Sequence, residues 1–100
     1  MTSLHEGNPI SVLEALAWGT PVLAGPLPGV AEILDGRGGC CVPDASVATW
    51  REAVQRAVDD AGPGAAAAAA GRARFLEAFT AAAAARRMHT LYREALAPRW

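Results

Sequence analysis

The sequence predicts an α/β fold, the end of a larger domain in which two short parallel strands alternate with helices. Two apolar runs, "PVLA" and "CCVP", are bounded by turn residues and separated by a short helical stretch. Strand, helix and strand in that order point to a parallel pair. Two short parallel strands do not make a stable sheet alone, so further strands are expected beyond these residues.

Each element follows from local chemistry. "EGNP" reads as a loop, with Asn8 as a side-chain N-cap and Pro9 at the first helical position. A first helix is predicted from about Pro9 to Trp18, stopped by Gly19. A buried strand follows over Pro21 to Ala24. "PLPGVAEIL" gives a turn and a short helix around Val30 to Leu34, and "DGRGG" is a Gly-rich turn. "CCVP" is the second strand, stopped by Pro43. Asp44 or Ser46 caps a helix whose Val47, Trp50, Val54, Ala57, Val58 and Ala61 recur at helical spacing to about Asp60. "GPG" is expected to break it. The alanine-rich stretch that follows is helical on propensity, and its bland reading is a solvent-facing or loosely packed helix. Thr80 caps a last helix that runs towards Leu96 and ends before Pro98. Trp18, Trp50 and Trp100 are expected packing anchors. Residues 1–43 form an α/β segment and 44–100 a helical one, both within one partial domain.

Composition narrows the class. One hundred residues with a net charge of −1 and 52% hydrophobic residues predict one small folded, soluble unit. All nine basic residues are arginine, and they are scattered, so no nucleic-acid face is implied. Cys40 and Cys41 are adjacent, which suits neither an unstrained disulfide nor metal-ligand spacing. A reduced thiol pair in a strand, in the cytoplasm, is the expectation. No basic-then-apolar leader and no run long enough to span a bilayer is visible.

The chemistry gathers in "HEGNPISVLEALAWGTPVLAG". On the first helix Ser11, Glu14 and Trp18 share one stripe, while the Ile10, Leu13, Ala17 stripe and the Val12, Leu16 stripe face the sheet. Glu6 lies in the loop before the helix, and Glu14 stands about 9 Å along the axis from the cap. Two carboxylates therefore flank a helix start that offers free N–H groups and a partial positive charge. A ligand with a central phosphate and hydroxyls on either side fits this layout, and a nucleotide-sugar is such a ligand. The dinucleotide fingerprint is absent. Carboxylates near a helix start also favour the macrodipole with no ligand at all.

The string "TSLHEGNPISVLEALAWGTPVLAGPLPGVAEIL" resembles the donor-binding segment of retaining glycosyltransferases of the GT-B fold, notably the family 4 group. Ser3, Glu6, Gly7, Glu14, Ala15, Ala17, Gly19, Pro21, Val22, Gly29 and Glu32 match that family's pattern, with Glu6 and Glu14 as its E-x7-E motif. "RFLEAFT" and "LYREAL" resemble its closing helices. The resemblance implies a Rossmann-like donor domain and a nucleotide-diphosphate sugar as substrate, with no cofactor and no metal requirement. It places Glu6 on the donor sugar near the reacting carbon, as the catalytic candidate. Glu14 falls on the ribose. Gly7, Asn8, Ile10 and Ser11 would contact the phosphates, since Pro9 has no N–H. Ser11 stays open between phosphate ligand and ordinary helix-face serine.

Family members add an Arg and a Lys from earlier in the domain, and an N-terminal acceptor domain; neither is visible here. A fragment is expected, inactive alone, whose partner is that acceptor domain or a separate chain supplying it. A helix-rich interaction module is the alternative, and a GT-B epimerase a third reading. Glu32 is expected to stabilise the start of its short helix, His5 to sit at the surface or cleft edge, and His89 to pack or face solvent.

Overall fold

The computed structural model describes residues 1–98; Arg99 and Trp100, one of the expected anchors, lie outside them. The described elements run α1 (Ile10–Ala17), β1 (Val22–Ala24), α2 (Pro28–Leu34), β2 (Gly39–Cys41), α3 (Val47–Asp59), α4 (Ala61–Ala78) and α5 (Ala81–Leu96). β1 and β2 pair in parallel, with Val22 opposite Gly39 and Ala24 opposite Cys41. This is the predicted α/β architecture, with two short parallel strands and five helices.

The strands use alternate backbone groups on their two sides. Val22 donates to the Gly38 carbonyl at 3.0 Å, and Val42 donates to the Ala24 carbonyl at 2.8 Å. Leu23 and Gly25 point the other way, to Met1. The Met1 ammonium donates to the Leu23 carbonyl at 2.7 Å, and the Gly25 N–H donates to the Met1 carbonyl at 3.0 Å. Met1 thus sits in parallel register beside β1, on the edge away from β2.

The core is one cluster. Val12 and Leu16 of α1, Ala24 of β1, and Val30 and Leu34 of α2 are buried together, with Phe75 of α4 packed against them. The predicted inward stripe of α1 is therefore correct for Val12 and Leu16, while Ile10 of the second stripe is 60% exposed. Helix α1 ends in a Schellman motif: the Thr20 N–H donates to Ala15 O at 2.8 Å and the Gly19 N–H to Leu16 O at 3.0 Å. Gly19 takes φ of 67°, which a side chain would disfavour.

Several local expectations change. Asn8 does not cap α1; Pro9 occupies the N-cap position with φ −75° and ψ 82°, and no side chain caps the helix. The "GPG" triplet does not break a helix. The chain turns at Asp60, which is extended, and its carboxylate accepts from the Gly62 N–H at 3.0 Å. Pro63 then falls in the first turn of α4, where an N–H has no helical acceptor to lose. Ser46 and Thr80 cap α3 and α5 through their hydroxyls, as predicted.

Trp18 is no packing anchor, being 85% exposed. The α3 stripe also stays outside the core: Val47 is 84% exposed and Val58 73%. With Leu4, Trp50 and Val54 it lines a shallow apolar groove. The alanine tract is less idle than expected. Its C-terminal neighbour Gly71 is buried, and Ala67, Ala68 and Ala70 are half-buried. A Cβ on Gly71 would lie 2.8 Å from the Gly38 Cα and 2.8 Å from Leu16 Cδ2, so helix α4 meets the entry to β2 backbone to backbone.

Candidate functional site

The loop before α1 is built from its own side chains. Ser3 Oγ donates to Glu6 Oε1 at 2.8 Å, which fixes the glutamate over the loop. Glu6, Gly7 and Asn8 are all exposed, whereas Pro9 is buried. At Pro9 the backbone makes an inverse γ-turn: the Ile10 N–H donates to the Asn8 carbonyl at 2.9 Å. Proline suits that turn because its ring holds φ near the required value.

This turn sorts the backbone donors. Val12 and Leu13 donate to the Pro9 carbonyl at 3.0 and 3.4 Å, and Ile10 is engaged by Asn8. Ile10, expected among the phosphate contacts, therefore has no N–H to offer. Among the described residues, the N–H groups of Gly7, Asn8 and Ser11 have no protein acceptor. Gly7 has open space where a Cβ would be, so a ligand can approach its backbone closely.

Glu14 lies on the outer face of α1 with Ser11 and Trp18, all three exposed. The exposed carboxylates of Glu6 and Glu14 thus lie on either side of the turn, one in the loop and one in the second turn of the helix. His5 is exposed beside Glu6, and His89 is exposed on α5.

A cleft of about 490 Å³ is lined by Gly7 of this loop, Gly29 and Glu32 of α2, Arg74 and Glu77 of α4, and Arg87 of α5, while neither Glu6 nor Glu14 lines it. Arg74 is held rigidly. It donates to the carbonyls of Ile33 at 3.1 Å and Glu32 at 3.2 Å, and its guanidinium lies 5.2 Å from the Phe79 ring centroid. Those carbonyls belong to the last turns of α2, where a cation is favoured. Glu77 pairs with Arg37 at 3.1 Å. Arg72 donates to the Ala17 carbonyl and so ties α4 to the end of α1.

Glu32 has a different place from the one expected. Helix α2 begins at Pro28 and carries no acidic residue in its first turn, so Glu32 does not support the helix start. It lines the cleft. Nothing in the sequence signalled that Arg74, Glu77 and Arg87 would line a cleft with Gly7, because only the packing of α4 and α5 brings them there. Among the described residues no group of three His, Cys, Asp or Glu side chains is placed to hold a metal ion, and no helix is long and apolar enough to cross a membrane. Cys40 is exposed and Cys41 half-buried, both as free thiols in β2. Burial, with Cys40 beside it, pushes the Cys41 thiol up from its ordinary value.

The fold and the loop at the start of α1 define an α/β domain with its candidate site at a helix N-terminus. Residues 1–60 match the family model described as glycosyl transferases group 1. The chain belongs to that glycosyltransferase family. The matched span includes Glu6, Glu14, both strands and the whole of α3, and ends before α4. A comparison with curated proteins gives no match.

Proposed function

We propose that these residues are the donor-binding end of a retaining GT-B glycosyltransferase of the family 4 kind, taking a nucleotide-diphosphate sugar. The observation that carries this is the loop at the start of α1. Along the chain, three unengaged N–H groups at Gly7, Asn8 and Ser11 fall between two exposed glutamates, Glu6 and Glu14. On this reading the N–H groups take the diphosphate, Glu14 accepts from the ribose hydroxyls, and Glu6 accepts from the sugar near the reacting carbon. The leaving diphosphate gains negative charge as the sugar departs, and donors fixed in advance at the helix start stabilise that charge.

A transferase holds two substrates side by side. This reading assigns the donor to these residues and the acceptor to a domain supplied in addition, so the 100-residue chain binds donor without transferring its sugar. No metal or cofactor takes part. The free thiols of Cys40 and Cys41 fit a reducing compartment, and we place the protein in the cytoplasm.

Titration with UDP and GDP tests the reading. Binding of either nucleotide, lost about tenfold on Glu14→Ala, supports it; no binding of either overturns it. Two observations favour a second reading, an interaction module that docks on a partner protein. The radius of gyration is 16.3 Å, against about 13 Å for a compact chain of this length, and the α3 groove is open. A stable complex with a separate acceptor domain and no nucleotide affinity would select that reading.

A further inference from the structure

The geometry points to Arg87 as a phosphate-binding residue, placed by α5 in the cleft that Gly7 also lines; as a donor contact it rests on the reading above. The cleft holds two cations, and they differ in what they are free to do. Arg74 donates to two carbonyls of α2 and lies on the Phe79 ring, so its fork is engaged. Arg87 lines the same cleft and, among the described residues, has no ion-pair partner. Gly7 lines the same cleft, with open space where a Cβ would be and its N–H unengaged.

The charges in the cleft fix the ligand class. Glu77 pairs at 3.1 Å with Arg37, a guanidinium that Asp35 shares at 3.4 Å. Glu32 has no such partner among the described residues and stays as an acceptor on the cleft wall. An arginine fork on one side and a lone carboxylate on the other suit a group that is anionic at one end and carries hydroxyls at the other. A phosphate attached to a sugar is that group. Arg87 would then supply positive charge from the C-terminal helix, outside the span that matches the family model.

The test uses the full chain and inorganic pyrophosphate, followed by calorimetry. Wild-type binding should fall about tenfold in Arg87→Ala, recover in part in Arg87→Lys, and stay unchanged in Arg93→Ala, an exposed position on the same helix. Glu32→Gln should tighten pyrophosphate severalfold by removing a like charge. Equal affinity in wild type and Arg87→Ala, or no pyrophosphate binding by the wild type, overturns the proposal. UDP and GDP on the same proteins separate it from the donor reading. If Arg87 governs pyrophosphate but neither nucleotide binds, the donor reading fails and the anion site stands.

Discussion

Ser3 Oγ donates to Glu6 Oε1 at 2.8 Å, so a hydroxyl three residues upstream sets the direction of the first of the two candidate carboxylates. The bond is exposed and contributes little to stability. Its value is in holding one rotamer of a flexible side chain. Ser3→Ala should leave the unfolding midpoint nearly unchanged and weaken nucleotide-sugar binding about threefold to tenfold. Paired chemical denaturation and calorimetric titration would check this. A loss of stability with unchanged affinity would show that the serine serves the fold instead.

Gly71→Ala sets two effects against each other. Alanine favours a helix interior by about 1 kcal/mol over glycine. The added methyl, however, meets the Gly38 backbone and Leu16 at 2.8 Å, and overpacking of a filled contact costs about 1–3 kcal/mol. The net expectation is a lower urea midpoint, with a larger drop for Gly71→Val. A raised midpoint for Gly71→Ala would mean that α4 shifts freely.

Asp44 makes the start of α3 acid-sensitive. The Ser46 hydroxyl, then the Ser46 N–H at 2.8 Å and the Thr49 hydroxyl at 3.0 Å, favour the charged carboxylate and hold its pKa below the ordinary value. A lowered folded pKa means that this contribution is complete above the unfolded value and is lost as pH falls through the folded one. The first turn of α3 should therefore loosen below about pH 4, read by amide NMR shifts at Val47–Thr49. Asp44→Asn should flatten that pH response.

The two thiols should react at different rates. Cys40 is exposed, while burial of Cys41 disfavours its thiolate, the reactive form. Iodoacetamide at pH 8 should modify Cys40 first, as peptide mass mapping would show. Cys40→Ser should leave one slowly alkylated thiol. Equal rates would mean that β2 opens readily.

Local chemistry made most elements legible. Ser46 and Thr80 were readable as caps, and Gly19 as a stop, because each signal lies within a few residues of what it controls. The placement of Glu6 in the loop and of Glu14 on α1 was readable for the same reason, since it depends only on where one helix starts. The γ-turn at Pro9 was not, because proline suits a helix start and this turn equally well by its φ, and only ψ separates them. Arg74 and Arg87 were hidden by distance along the chain. Their meeting with Gly7 depends on how α4 and α5 pack, and alanine-rich helices carry little pattern to predict that.

The alanine tract has a further consequence. Six alanines in succession, Ala65 to Ala70, present nearly the same surface from every side, so the tract alone sets neither the rotation nor the height of α4. The notch at Gly71 does, because only there can the helix sit on Gly38. Adding or removing one alanine ahead of it would turn the notch by about 100° and slide it about 1.5 Å. Arg72, Arg74 and Glu77 lie beyond the notch and keep their spacing from it. A change in repeat length would thus alter the phase between the tract and the cleft, as a slipped tooth does in a gear train, though the composition would hardly register it.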